Sequence, residues 1–319
     1  MPGKRHGTVA VLGAGQCGRM TAQRLAESDV YQRIVLTDII PGLAEGIALD
    51  LNQSRAITGF ETTVEGHRMR TGGDCACISD AQIVVIAAGV VSSAQEPGRT
   101  SRMVGELCAQ IALHSPEAVI VVLSNPVDAL TALARAVTGF PAHRVLGQSV
   151  LLDSARFADF TATLLGVPRS AVQLTMVGSH AHDSTMIPLL SGATVYGVPL
   201  TSLLSEEDQA TLTAAVRRGG ADVMKLLGTG SSFYAASAAT ARMVRAIHDD
   251  DGTVLPVCAY VDGEYGVHDV FLGVPALLGR SGVRRVVQLP LSPGEQAALA
   301  TAAEVMRARQ RQCIEQWKE

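Results

Sequence analysis

No stretch of this sequence is both long and apolar enough to cross a bilayer. The runs IVVIAAGVV and AVIVVLSNPV break at glycine, serine or proline well short of the roughly 20 residues a spanning helix needs, so both read as buried strands. Nor is there a basic field: net charge is −4 and 18% of residues are charged, which offers little to a phosphate backbone and argues against a nucleic-acid partner. Six cysteines (Cys17, Cys75, Cys77, Cys108, Cys258, Cys313) are scattered along 319 residues. A chain of that size needs no disulfide staples, so reduced thiols in a cytoplasmic protein are expected. Cys75-Ala-Cys77 is spaced like half of a metal-binding set, but no second pair follows, and no metal site is expected. Internal repeats and low-complexity linkers are absent as well. The opening MPGKRHGTVAVLGAG places basic residues before an apolar stretch, as a leader does. That stretch runs into a glycine-rich turn with no clear cleavage site, and it reads as a first strand.

What is present is a chain that is 47% hydrophobic and long enough for two lobes. GTVAVLGAG is an apolar strand ending in glycine, GRMTAQRLAES has helical spacing, and RIVLTD is a second strand closing on a carboxylate. AQIVVIAAG and EAVIVVLSNP are further β-branched runs, with RMVGELCAQIALH as a helix between them. This alternation predicts a parallel sheet covered by helices. After Gly147 the pattern changes: LLDSARFADFTATLLG reads as helix, AVQLTMVG and TVLPVCAYV as strands, and LSPGEQAALATAAEVMRARQRQ as an exposed terminal helix. The expected fold class is therefore α/β, with a Rossmann-type parallel sheet over 1–147 followed by a mixed α+β catalytic lobe over 148–319.

Gly13-Ala14-Gly15-Gln16-Cys17-Gly18 is a G-x-G-x-x-G turn with its required context, an apolar strand before it, a helix after it, and Asp38 at the end of the next strand. Gly13 permits the tight turn, Gly15 lets backbone approach a pyrophosphate, and Gly18 lets helix pack closely on strand. The helix start from Gln16 supplies amide donors for phosphate. Asp38 is suited to accept hydrogen bonds from ribose hydroxyls and to repel a 2′-phosphate, which favours NAD over NADP.

A second set of motifs is spread along the chain: PGRTSR (97–102), SNPVDALT (124–131), LLDSARF (151–157) and VGSHAHDSTMIP (177–188). With the glycine turn and the late VCAYVDGEYGVHDVFLGVPALLGRSGV, they occur in the order in which the lactate/malate dehydrogenase family carries them, and the chain resembles that family over nearly its whole length. GEYGVHDVFLGVP and SSFYAASAA lean towards the malate branch. The resemblance implies hydride transfer between NAD and C2 of a 2-hydroxy or 2-oxo acid, with malate/oxaloacetate ahead of lactate/pyruvate or a bulkier acid. It also implies a homodimer or homotetramer.

The residue types suit that chemistry. Reducing a ketone needs a proton on oxygen as well as a hydride on carbon, and histidine exchanges protons near neutral pH. Asp153 matches the family aspartate that orients the histidine. Arg156, one helical turn on, matches the arginine that grips the substrate carboxylate, although this spacing also suits a surface ion pair. Asn125 matches the asparagine between nicotinamide and substrate, and Arg102 matches the arginine of the mobile loop that closes over substrate.

Two loops depart from the family pattern. VVSSAQE is longer than usual, and PGRTSR has one residue more than PGxTR. Gln95 falls near the position that reads the substrate side chain, as in lactate-type loops, where malate-type loops carry arginine; Arg99 is the alternative source of that charge. In VGSHAHDSTMIP, counting from the preceding strand puts His180 in the catalytic slot, and counting back from Pro188 puts His182 there. Strand register is rigid while loops absorb insertions, which favours His180. His248 and His268 read as packing or surface residues. A reading from another class, an NAD-binding scaffold or sensor without turnover, is motivated by the two altered loops.

Overall fold

A computed structural model describes residues 5–69, 75–89, 98–181, 183–228 and 232–318. The chain begins β1 (Thr8–Leu12), α1 (Gln16–Glu27), β2 (Arg33–Asp38), α2 (Leu43–Thr58), β3 (Thr63–Arg68), β4 (Ala81–Ile86), α3 (Arg99–His114), β5 (Val119–Val122), α4 (Val127–Thr138) and β6 (Val145–Gly147). These six strands lie in the order β3-β2-β1-β4-β5-β6, all parallel. That is the doubly wound order expected of a dinucleotide fold. β1 shows why: all five residues of TVAVL are buried, Val9 and Val11 in the core on one face of the sheet and Ala10 and Leu12 in the core on the other. A strand sealed on both faces needs helices on both sides. α1 answers on one side with Gly18, Thr21, Ala22 and Leu25, spaced three and four apart along one buried stripe.

The second half runs α5 (Val150–Leu165), β7 (Val172–Gln173), β8 (Met176–Gly178), β9 (Met186–Pro188), β10 (Thr194–Val195), β11 (Val198–Pro199), α6 (Glu206–Leu227), α7 (Tyr234–Asp249), β12 (Val254–Val261), β13 (Val270–Gly279), β14 (Gly282–Val286) and α8 (Pro293–Lys318). α6 starts at a reciprocal cap, Ser205 with Asp208. The parallel sheet does not stop at β6. β12 pairs antiparallel with it through Cys258 opposite Gly147, and β13, β8 and β9 continue outwards, giving one eleven-stranded sheet among the described residues.

Two expectations need correction. AVQLTMVG is not one strand: β7 joins β10 in a small separate sheet, while β8 joins the large one. Between them Thr175 accepts a bond from Leu189, and the Ser154 hydroxyl accepts the Met176 amide, so the chain changes sheets at that point. Nor is α8 simply exposed. It buries Leu299, Ala302, Ala303, Met306, Gln310 and Cys313 and packs on α3, α4 and β13. Its many small and charged residues hide the stripe. Among the described residues no helix is long and apolar enough to cross a membrane.

Candidate active site

The first crevice lies where the strand order reverses, between β1 and β4, at the carboxyl ends of the strands. Gly13 has φ +105°, and a Cβ there would sit 2.6 Å from the Ala88 amide nitrogen, so no other residue fits this turn. A Cβ on Gly18 would fall 1.8 Å from the Gly13 carbonyl oxygen, which is why helix and turn can approach so closely. At Gly15, by contrast, a Cβ would meet nothing within 4 Å, and Gly15 and Gln16 are exposed. No side chain caps α1 here. An open cradle over an uncapped helix start is the shape and polarity a pyrophosphate needs. Asp38 is half-buried at the end of β2, and its two carboxylate oxygens accept the Ala14 amide at 2.7 Å and the Ile40 amide at 2.9 Å. Each oxygen keeps a further lone pair for a ribose hydroxyl. The residues present fit a dinucleotide.

The second cluster gathers at the junction of α5, β8 and the end of β6. Gly178, with φ +97°, closes β8 in a turn where a Cβ would lie 1.9 Å from the Thr185 carbonyl oxygen. That turn delivers His180. Its Nδ1 lies 2.7 Å from Asp153 Oδ2, and Arg156 donates to the other Asp153 oxygen at 3.2 Å. Asp153 and Arg156 are one helical turn apart, so both project from α5 towards the histidine. This is no surface ion pair: the Asp153 side chain is fully buried and that of Arg156 only 11% exposed. Arg156 lies against Gly219 of α6, where a Cβ would come within 3.3 Å of it. Burial opposes a charge on the imidazole, yet Asp153 and Asp128 outweigh it and hold His180 above its ordinary value.

Asp128 is the residue that sequence reasoning passed over. It sits in the first turn of α4, wholly buried; Oδ2 accepts the His180 backbone amide at 2.8 Å and Oδ1 the Ser149 hydroxyl at 2.7 Å, with the Cys258 thiol as a further donor. Burial pushes its carboxyl up from the ordinary range against those three donors. Its signal was a carboxylate inside a helix whose neighbours Val127 and Ala129 to Ala134 are all buried, an environment that demands partners.

A cleft of about 320 Å³ opens beside His180, lined by Gly98, Thr100 and Ser101 at the start of α3, Pro126 to Ala129, and Met306, Arg309 and Cys313 of α8. Arg99 and Arg102 stand exposed on that same first turn of α3, and Asn125 is exposed at the end of β5, with a cis bond to Pro126. Arg99, Arg102, Asn125 and Arg156 do not line this cleft. Gln95 and His182 lie outside the described residues. Beyond His180, Asp183 accepts Arg309 at 2.7 Å and the Thr185 amide at 2.8 Å, tying the lengthened histidine loop to α8. His248 is buried against His6 and Tyr31, and His268 is exposed beside Asp262.

Comparison with known proteins decides the family. The NAD binding domain of lactate/malate dehydrogenase matches residues 7–147, and the alpha/beta C-terminal domain of lactate/malate dehydrogenase matches residues 151–316. The chain belongs to the lactate/malate dehydrogenase family. It is 40% identical to a malate dehydrogenase of Thioalkalivibrio sulfidiphilus over 90% of this chain and 93% of that one. It is 39% identical to a malate dehydrogenase of Methanosarcina barkeri over 94% and 96%. Among solved structures, the malate dehydrogenase of Salinibacter ruber superposes with a TM-score of 0.89 at 35% identity over 96% and 97% of the two chains. A lactate dehydrogenase of Cryptosporidium parvum, in complex with lactic acid and nicotinamide adenine dinucleotide, does so with 0.90 at 29% identity over 98% and 99%. As a member of this family the chain is an NAD-dependent 2-hydroxy acid dehydrogenase of Rossmann-type α/β fold.

Proposed function

We propose that the protein interconverts malate and oxaloacetate, with His180 as the proton carrier and Asp153 as the residue that orients it. The observation that carries this reading is the buried chain Arg156–Asp153–His180. NAD, when bound, supplies or accepts the hydride. The remaining work belongs to the side chains. With Nδ1 bound to Asp153, the His180 ring presents Nε2 to the substrate, donates a proton to the carbonyl oxygen during reduction and takes it back during oxidation. Arg156 pairs with the carboxylate next to the reacting carbon, and Asn125 orients the carbonyl. Arg102, from the first turn of α3, polarises the carbonyl as that segment covers the site and excludes water. Either Arg99 or Gln95 meets the second carboxylate. Gly13, Gly15, Gln16, Gly18, Asp38 and Asn125 hold the cofactor.

The malate relatives and the family's late motifs favour a dicarboxylate, and the three arginines Arg99, Arg102 and Arg156 supply positive charge for two carboxylates. The division into a cofactor lobe, 1–147, and a substrate lobe, 148–319, is supported by the change from parallel to antiparallel pairing after β6. A homo-oligomer is supported by apolar side chains left exposed on α2 (Leu49, Ile57) and at the end of α6 (Met224, Leu226, Leu227). A cytoplasmic location agrees with six cysteines that are all thiols.

The test follows NADH consumption with oxaloacetate, pyruvate and larger 2-oxo acids for the native protein, His180→Asn and His182→Asn. Turnover of oxaloacetate that only His180→Asn abolishes is the expected result. Loss with His182→Asn alone moves the proton carrier two residues on, and cofactor binding without turnover of any oxo acid returns the scaffold reading. Light scattering on the purified protein, native and Leu49→Lys/Ile57→Lys, checks the assembly; a native monomer removes it.

A further inference from the structure

We infer that Cys75 and Cys77 form a redox-active dithiol, a modification site in which a hydroperoxide converts the pair to an intramolecular disulfide. The two residues bracket the start of a short 3-10 turn, Ala76–Ile78, between β3 and β4. Cys75 is buried, its sulfur 3.1 Å from the Met69 thioether, and Cys77 is half-buried with access to solvent. Only Ala76 separates the two residues on this turn, and Cys75 is placed to donate to the Cys77 sulfur as an alternative to Met69, so the two thiols lie within reach of each other. One thiol proton serves one acceptor at a time: towards Met69 it leaves Cys77 a thiol, and towards Cys77 it favours the thiolate.

The surroundings reinforce that choice. The bond from Cys75 is the largest influence on Cys77; with smaller help from the charges of His67 on β3 and Arg33 on β2 it outweighs partial burial and brings the thiol down to about 7. Arg33 is itself paired with Glu65 and Asp80, and His67 with Glu65. A partly exposed thiol of that acidity with a second thiol two residues away on the same turn has the features of an attacking and a resolving cysteine. Cys108, by contrast, is sealed and pushed up by burial alone.

The chemistry balances without any group from the active site. The Cys77 thiolate attacks the O–O bond of the peroxide, giving a sulfenic acid and releasing hydroxide, which takes up the proton lost by the thiol and leaves as water. Cys75 sulfur then attacks Cys77 sulfur, the S–S bond forms, and the sulfenic oxygen leaves as a second water. Two thiols are oxidised and one peroxide is reduced. The site lies within the cofactor lobe: the Met69 amide donates to the Asp38 carbonyl oxygen at 2.8 Å, and the Cys75 amide donates to Gln110 of α3.

The experiment treats the whole protein with hydrogen peroxide at neutral pH and maps it with trypsin. Cleavage after Arg70 and Arg99 isolates a peptide that holds Cys75 and Cys77 and no other cysteine. The expected result is loss of two hydrogen masses from that peptide, restored by dithiothreitol, at a rate that rises as pH passes about 7. Cys75→Ser leaves Cys77 trapped by dimedone as a sulfenic acid, and Cys77→Ser abolishes both products. A peptide that stays reduced while Cys17 or another thiol reacts overturns the inference, as does oxidation of Cys77 straight to sulfinic acid with Cys75 intact. Neither readout depends on which 2-oxo acid the enzyme turns over.

Discussion

A histidine whose side chain is only 8% exposed would, on burial alone, lose its proton more readily than one in water. His180 does the reverse, because Asp153 contacts the ring and Asp128 lies behind its backbone. Reduction consumes the proton on His180, so its rate should be level below the raised value and fall about tenfold per pH unit above it, while oxidation shows the opposite limb. Asp153→Asn removes the contact that offsets burial. The reductive limb should then move to lower pH and kcat should drop by about 10²- to 10⁴-fold. Steady-state profiles over pH check it, and an unmoved limb would remove Asp153 from that role. Asp128→Asn keeps the shape but exchanges one acceptor oxygen for an NH2 donor, so the His180 N–H, the Ser149 hydroxyl and the Cys258 thiol compete for the one oxygen that remains. The expected loss in kcat is roughly 5- to 150-fold, from about 1–3 kcal/mol of unmet hydrogen bonding, with a smaller acid shift of the same limb. Unchanged kcat and limb would make Asp128 purely structural. Asp153 and Arg156 were legible because helical spacing sets their relation within one motif. Asp128 was not, because its partners His180 and Ser149 lie 52 and 21 residues away, and only the fold brings them together.

At the scale of elements, α8 links the two parts of the cleft. Arg309 holds the histidine loop through Asp183, Ser101 at the start of α3 donates to Gln316, and the Trp317 ring fills the space beside Gly105, where a Cβ would be 2.2 Å from it. Arg309→Met should therefore be felt in catalysis before stability. The ion pair is about two-fifths exposed and worth about 0–1 kcal/mol, so the melting temperature should barely move. The loop it releases carries the proton donor, so kcat/KM should fall about tenfold, with NADH affinity kept. Burial works against the Asp183 charge, but Thr185 and Arg309 prevail and hold its carboxyl below the usual range, so this tie persists at neutral pH and is lost only on acidification. A melting loss without a kinetic one would contradict this assignment. The parallel strands were readable from short β-branched runs ended by turn residues. α8 was misread as exposed because two of its buried positions, Ala302 and Ala303, are alanine and a third, Gln310, is polar, which gives a weak apolar stripe, and β7 and β8 were merged because an apolar run does not reveal which sheet each end joins.

On the scale of the molecule, the single Cys258–Gly147 pairing carries one sheet across the division between the lobes. α5 adds to the seam by packing against β12, β8 and α7. Heat or denaturant should unfold both halves in one transition, with fluorescence of Trp317 and far-ultraviolet dichroism losing signal together. Two separated transitions would mean the seam is weak. The glycine turn and the motifs after Gly147 told of two kinds of lobe, but nothing local in sequence announces that β6 finds a partner more than a hundred residues later. The same seam limits how freely the halves can be exchanged. An isolated first half would present the open edge of β6 and the apolar face that α8 covers, inviting edge-to-edge aggregation. A cofactor module transplanted from this chain must bring a capping strand with it, so its inheritance is tied to the strand that completes its sheet.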